Sequence, residues 1–171
     1  MVYRTYNLKI IIIGDPGVGK TSLVKKFITG QFSRDYKASI GTNLFIKKLD
    51  SDTDEEISLN IWDIAGQERW VKMRHLYYRG SDGALIVGDL TRKNTFYQIT
   101  KFWIPDLKRN CSGIPIILLA NKNDLKPDIS KTEIEEISNK IKANSIMYTS
   151  AKNGQHVEES FKLISELSLK F

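Results

Sequence analysis

The residues Gly14-Asp15-Pro16-Gly17-Val18-Gly19-Lys20-Thr21 carry the spacing G-x-x-x-x-G-K-T, and the chemistry of that spacing is polyphosphate binding. Glycines let successive backbone N–H groups curl around phosphate oxygens, and the N-terminus of the following helix adds the positive end of its dipole. Lys20 supplies a point charge to the terminal phosphates, and the Thr21 hydroxyl can ligate Mg²⁺. The flanking elements are the ones the pattern requires. Ile10, Ile11, Ile12 and Ile13 read as a buried strand before it, and Leu23, Val24, Phe27 and Ile28 as an apolar helix face after it. A nucleoside triphosphate site is expected here.

A second constellation selects the base. The apolar run Ile114–Leu119 leads into Ala120-Asn121-Lys122-Asn123-Asp124. A carboxylate such as Asp124 can accept two hydrogen bonds from guanine, one from the ring N1–H and one from the exocyclic amine. Adenine has no donor at that ring nitrogen and would leave the buried carboxylate unpaired, a mismatch that rejects strongly. Thr149-Ser150-Ala151-Lys152 ends the last strand-like run and can bring a backbone N–H to the guanine oxygen. A third constellation, Asp63-Ile64-Ala65-Gly66-Gln67-Glu68, closes the run Ile57–Trp62. Asp63 suits an outer-shell partner of Mg²⁺, Gly66 can set a backbone N–H against the γ-phosphate, and Gln67 can orient an attacking water.

These residues need a scaffold. Strand-like runs lie near Leu8–Ile13, Asn43–Leu49, Ile57–Trp62, Ala84–Val87, Ile114–Leu119 and Ile146–Thr149, with helical patterns between them. Phe96, Ile99, Trp103 and Leu107 keep one helix face, with Pro105 expected to kink it. Val157, Phe161, Ile164 and Ser168 keep another, beside Leu163 and Leu167. The runs near 84, 114 and 146 are nearly all apolar, as parallel strands covered on both faces are. The acidic stretch Asp50–Glu56 is too short for a crossover helix, so the strands it joins should pair antiparallel. The expected fold is an α/β three-layer sandwich, with a six-stranded, mostly parallel sheet and one antiparallel edge strand. Its nucleotide site lies at the C-terminal ends of the strands.

The chain of 171 residues, with a formal charge of +6 and one cysteine, reads as a single globular domain spanning 1–171. No apolar run approaches the roughly 20 residues of a membrane span, and the first residues lack the apolar stretch of a signal peptide. Cys111 alone cannot form an intrachain disulfide, which argues for a reducing, cytoplasmic setting. The lysines are scattered among glutamates, as on solvated helix faces, so no nucleic-acid partner is expected. The chain reads as a monomer.

Phosphate loop, D-x-x-G-Q-E, N-K-x-D and S-A-K in this order resemble a small GTPase of the Ras superfamily. Tyr77-Tyr78-Arg79-Gly80, Ile61-Trp62-Asp63 and Ser39-Ile40-Gly41 make the Rab family the nearest resemblance. It implies the G-domain fold of phosphate-loop NTPases and a switch that binds GTP or GDP with Mg²⁺, hydrolyses GTP, and orders two loops around the γ-phosphate. By position it implies nucleotide contacts from Asp15, Gly17, Val18, Gly19, Lys20, Thr21, Ser22, Gly66, Asn121, Lys122, Asp124, Ser150, Ala151 and Lys152. It also implies an aromatic edge from Phe32 against the base, closure of Tyr36 over the γ-phosphate, and the Lys122 stem packed along the base. Catalysis falls to Gln67, Lys20 and Ser39, and Mg²⁺ ligation to Thr21, Ser39 and Asp63. Leu44, Trp62, Tyr77 and the switch loops form the effector surface, with core packing the competing role for the two aromatics. An exchange factor and a GTPase-activating protein are implied as further partners.

Departures from the pattern qualify these expectations. Ser39 replaces the family's metal-ligating threonine, with Thr42 as the alternative ligand. Pro16 replaces a small residue near Gln67, Ile64 a threonine, and Leu44 a phenylalanine. No arginine matches a built-in arginine finger, Arg34 being the nearest by position, so intrinsic hydrolysis should be slow. The chain ends at Phe171 without a cysteine nearby, so no lipid anchor is expected within it, and membrane association would need a lipidated tail. A hydrolysis-deficient GTP-binding scaffold is the alternative function. A phosphate-loop kinase or ATPase would need a lid or acceptor-binding segment, for which no candidate is seen.

Overall fold

The computed structural model describes residues 4–32, 41–49, 55–66 and 71–171. Along the chain run β1 (Arg4–Ile13), α1 (Lys20–Thr29), β2 (Thr42–Leu49), β3 (Glu55–Ile64), α2 (Val71–Tyr78) and β4 (Gly83–Asp89). Then follow α3 (Lys93–Gln98), a π-helical segment Ile99–Trp103, α4 (Ile104–Asn110), β5 (Ile116–Asn121), α5 (Lys131–Ile141), β6 (Ser145–Tyr148) and α6 (Val157–Lys170). The six strands form one sheet in the order β2-β3-β1-β4-β5-β6. β2 pairs antiparallel with β3, and every other pairing is parallel. This is the three-layer α/β sandwich that the apolar pattern predicts.

The isoleucine run shows why the sheet is covered on both sides. Alternate residues of a strand face opposite ways, and all four of Ile10 to Ile13 are 0% exposed. Ile11 and Ile13 join Ile86, Leu118, Phe96, Trp103 and Ile134 in the core beneath α3, α4 and α5. Ile10 and Ile12 join Leu85, Leu119, Leu23, Phe27 and Phe161 beneath α1 and α6.

Three expectations shift. β5 begins at Ile116 rather than Ile114 because Pro115 has no N–H to give a ladder; the Ile116 N–H instead meets the Asn144 side chain at 2.9 Å. β6 is half-buried along its length, not covered on both faces, because it is a sheet edge. Pro105 interrupts its helix through a π turn: the Ile104 N–H reaches back five residues to the Ile99 carbonyl. The wider turn sits immediately ahead of the residue that has no N–H and whose ring crowds the preceding turn.

Phe27 of α1 and Phe161 of α6 stack with ring centroids 4.2 Å apart and planes 5° from parallel, joining the two helices behind the sheet. Truncating Phe161, fully buried, should leave a cavity that α1 and α6 cannot close. Phe161→Ala is expected to cost about 3–5 kcal/mol, read as a lowered midpoint in urea denaturation.

Candidate functional site

The segment between β1 and α1 turns at Pro16 and Gly17 and meets α1 at Gly19, its N-cap, whose φ is +104°. A Cβ at Gly19 would stand 2.3 Å from Asn121 Nδ2, so only glycine permits this approach. Among the described residues no side chain caps α1, which leaves its first N–H groups to an anion. Lys20 is buried, and its ammonium donates to the carbonyls of Gly14 at 2.8 Å and Asp15 at 3.0 Å. Burial pulls its pKa down to about 8, against the raising influence of Asp63 and Asp15.

Asp63, next to last in β3, is fully buried, and Thr21 Oγ1 donates a hydrogen bond to its Oδ2. A hydroxyl that gives its proton to a carboxylate offers a metal its lone pairs, and both are hard oxygen donors. The pair therefore fits Mg²⁺, with Thr21 as ligand and Asp63 behind it. Gly66 presses on the phosphate loop: a Cβ there would meet Gly14 O at 2.5 Å and Pro16 N at 2.7 Å.

Asn121, at the end of β5, is a joint as much as a contact. Its Nδ2 donates to the Val18 carbonyl at 2.9 Å, and its Oδ1 accepts from Thr149 Oγ1 at 3.1 Å. Asp124 is aimed by Ser150, whose hydroxyl donates to Oδ1 at 2.6 Å. Lys122 adopts a left-handed backbone with φ of 67°, and its ammonium pairs with Asp89 Oδ2 at 2.7 Å. Desolvation pushes the Asp89 carboxyl up, but hydrogen bonds from Lys122, Thr91 and Arg92 outweigh it and hold the group below its ordinary range.

A cavity of about 500 Å³ opens among these residues, lined by Gly17, Gly19, Ser22, Phe32, Asn121, Lys122, Asp124, Leu125, Ala151 and Lys152. That is the size of a nucleotide-scale pocket. Nine of the ten are residues singled out from the sequence; Leu125 is the addition. Val18 is fully buried in the core under α1, so its backbone alone can serve a ligand. Asp15 turns its side chain to Trp103, whose indole N–H donates to Oδ1 at 2.7 Å. Tyr36, Ser39, Gln67 and Arg34 lie outside the described residues.

The sequence does not single out Asp89, Arg92 or Trp103 as site residues, and for Thr149 the bond of its hydroxyl to Asn121 is the addition. Only Asp89 carried a signal, as an acid closing an apolar strand on the same sheet edge as Asp63. On the far side, Leu44 of β2 stands opposite Trp62 of β3, and Trp62 lies 6.0 Å from Tyr77 at 37°. Leu44 is 49% exposed, whereas both aromatics are half-buried against the core. They thus pack and face outward at once.

The Ras family model matches residues 9–170. The chain is 36% identical over 177 residues to the Ras-related protein Rab-32A of Dictyostelium discoideum, covering 98% of this chain and 80% of that one. It is 36% identical over 170 residues to the Ras-related protein Rab-32 of Homo sapiens, at 95% and 75% coverage. To the Ras-related protein Rab-7L1 of Rattus norvegicus it is 36% identical over 169 residues, at 95% and 82%.

The lowered pKa of Lys20 offers a test of its expected contact with the phosphates. With its pKa near 8 before a ligand arrives, the ammonium is charged below that pH and neutral above it, and a polyphosphate binds the charged form. GDP affinity should therefore fall as pH rises, by about fourfold between pH 7 and 8.5 if the bound pKa lies far higher. Isothermal titration across this range checks it.

Proposed function

This chain belongs to the Ras family and is a Rab-like, GTP-binding small GTPase, and from that premise we propose that it cycles between GTP- and GDP-bound states to recruit effectors. The process it serves, in this reading, is membrane trafficking or a related regulation. The observation that carries the base assignment is the Ser150–Asp124 bond, which aims a carboxylate at the cavity next to a phosphate loop. Lys20 and the loop amides would bind the phosphates, Thr21 and Asp63 would hold Mg²⁺, and Gln67 would align the attacking water. When bound, Mg²⁺ supplies charge neutralisation at the transferring phosphoryl group. Ser39, or Thr42 in its place, would complete the metal's shell.

Leu44, Trp62 and Tyr77 are the proposed effector surface. Ile46 on β2 and Met73 and Leu76 on α2 are also exposed, and they widen it into an apolar patch of the kind partners cover. An exchange factor and a GTPase-activating protein would act on the same switch. We propose a monomer working in the cytoplasm; among the described residues no helix is long and apolar enough to cross a membrane.

One observation favours a second reading, a GTP-binding scaffold that scarcely hydrolyses. Pro16, where the family carries a small residue, abuts Gly66, whose next neighbour in the chain is Gln67. Single-turnover hydrolysis separates the two: slow but measurable release of phosphate, slower still in Gln67→Leu, is expected of the switch. For the base, Asp124→Asn should move preference from GTP toward xanthosine triphosphate, whose ring oxygen needs a donor where guanine has its amine. Unchanged guanine preference in competition binding would remove Asp124 from this role.

A further inference from the structure

The peptide between Pro16 and Gly17 can face two ways. With Pro followed by Gly at the centre of a turn, both type I and type II geometries are open, and they differ by rotation of this one peptide plane. Proline fixes its own φ but not its ψ, and glycine tolerates either sign of φ. The structure holds Gly17 at φ +74°, the type II side. In a trans peptide the carbonyl and the N–H point in opposite directions. A flip would therefore turn a carbonyl oxygen, in place of an N–H, toward a bound phosphate.

Arg92, on the loop after β4, decides between the two. Its Nη2 donates to the Pro16 carbonyl at 3.0 Å, across 76 residues of chain, and lies 3.4 Å from where a Cβ of Gly17 would be. Gly17 lines the nucleotide cavity and Arg92 does not. The guanidinium is thus on the outer side of the loop, and the Gly17 N–H, directed away from it, is on the inner side. Arg92 is itself braced: its Nε reaches Asp89 Oδ2 at 3.0 Å. The same Asp89 oxygen receives Lys122 at 2.7 Å, while Oδ1 accepts from the Thr91 backbone and hydroxyl at 2.9 and 2.7 Å. A planar guanidinium can make both contacts without rearranging.

We propose that Arg92 is a positioning residue for nucleotide binding: anchored on Asp89, it pins the Pro16 carbonyl outward and so keeps the Gly17 N–H turned toward the phosphates. Through the shared Asp89 it ties the phosphate loop to Lys122 of the base-recognition turn. Arg92 is not among the residues that line the cavity. It acts on the nucleotide through one peptide plane.

The inference rests on the nucleotide lying in the loop, and the test separates the two. In the GDP complex of the parent chain, the Gly17 amide proton should resonate downfield, as a hydrogen bond to phosphate makes it. Absence of that shift in the parent would defeat the nucleotide placement itself. In Arg92→Ala the amide should move upfield, and GDP should dissociate about tenfold faster, the size expected of one charge-assisted hydrogen bond. Arg92→Lys, which keeps a charge and a donor, should fall between parent and Ala in both readouts, and it carries the test should the Ala variant fail to fold. An Arg92→Ala protein within twofold of the parent with Gly17 unmoved would overturn the proposal. So would faster release with the Gly17 amide unchanged, since that is general loosening and not a freed peptide.

Discussion

Three loops from distant parts of the chain meet on one side-chain amide. Asn121 gives its N–H to the Val18 carbonyl and takes the Thr149 hydroxyl, joining the phosphate loop, the end of β5 and the end of β6 in a place closed to water. Removing that amide would leave a buried carbonyl and a buried hydroxyl without it, each worth about 1–3 kcal/mol when unsatisfied. The joint works because β1, β5 and β6 run parallel, so that their C-terminal ends open on one edge of the sheet. It also explains Gly19, which must let Asn121 come closer than any Cβ would allow.

Around this joint the protein assembles positive charge and balances it. Lys20 leans on carbonyls of its own loop with Asp63 and Asp15 near, and Lys122 and Arg92 share the buried Asp89. Each cation is oriented by groups of the protein itself, so a polyphosphate bound there would meet fixed charges and amides with little left to reorganise. The depressed pKa of Lys20 is the cost of that preparation, and a bound anion would reverse it.

Much of this was legible in the chain. The isoleucine run, the G-x-x-x-x-G-K-T loop and the antiparallel β2–β3 pair follow from periodicity and spacing, and the structure has all three. The N-K-x-D turn reads as a base reader, but that Asn121 faces the loop rather than solvent is a fact of register. Arg92 was out of reach because a hydrogen bond across 76 residues leaves no local trace; it exists only because β1 and β4 are neighbours. Pro105 announced an interruption, and the structure gives it the form of a π turn, one of the ways a helix accommodates a missing N–H. Trp62 and Tyr77 stayed divided between packing and exposure in the sequence, and the structure gives them both.

A site preassembled in this way should select guanine. Titrating the nucleotide-free chain with GDP and with ADP under the same Mg²⁺ and salt measures it directly. A carboxylate aimed at two guanine donors predicts GDP preferred by roughly 10⁴-fold or more, the discrimination expected where a mismatch strands buried polar groups. Affinities for the two nucleotides within about tenfold of each other, the span of a single ordinary hydrogen bond, would contradict the account.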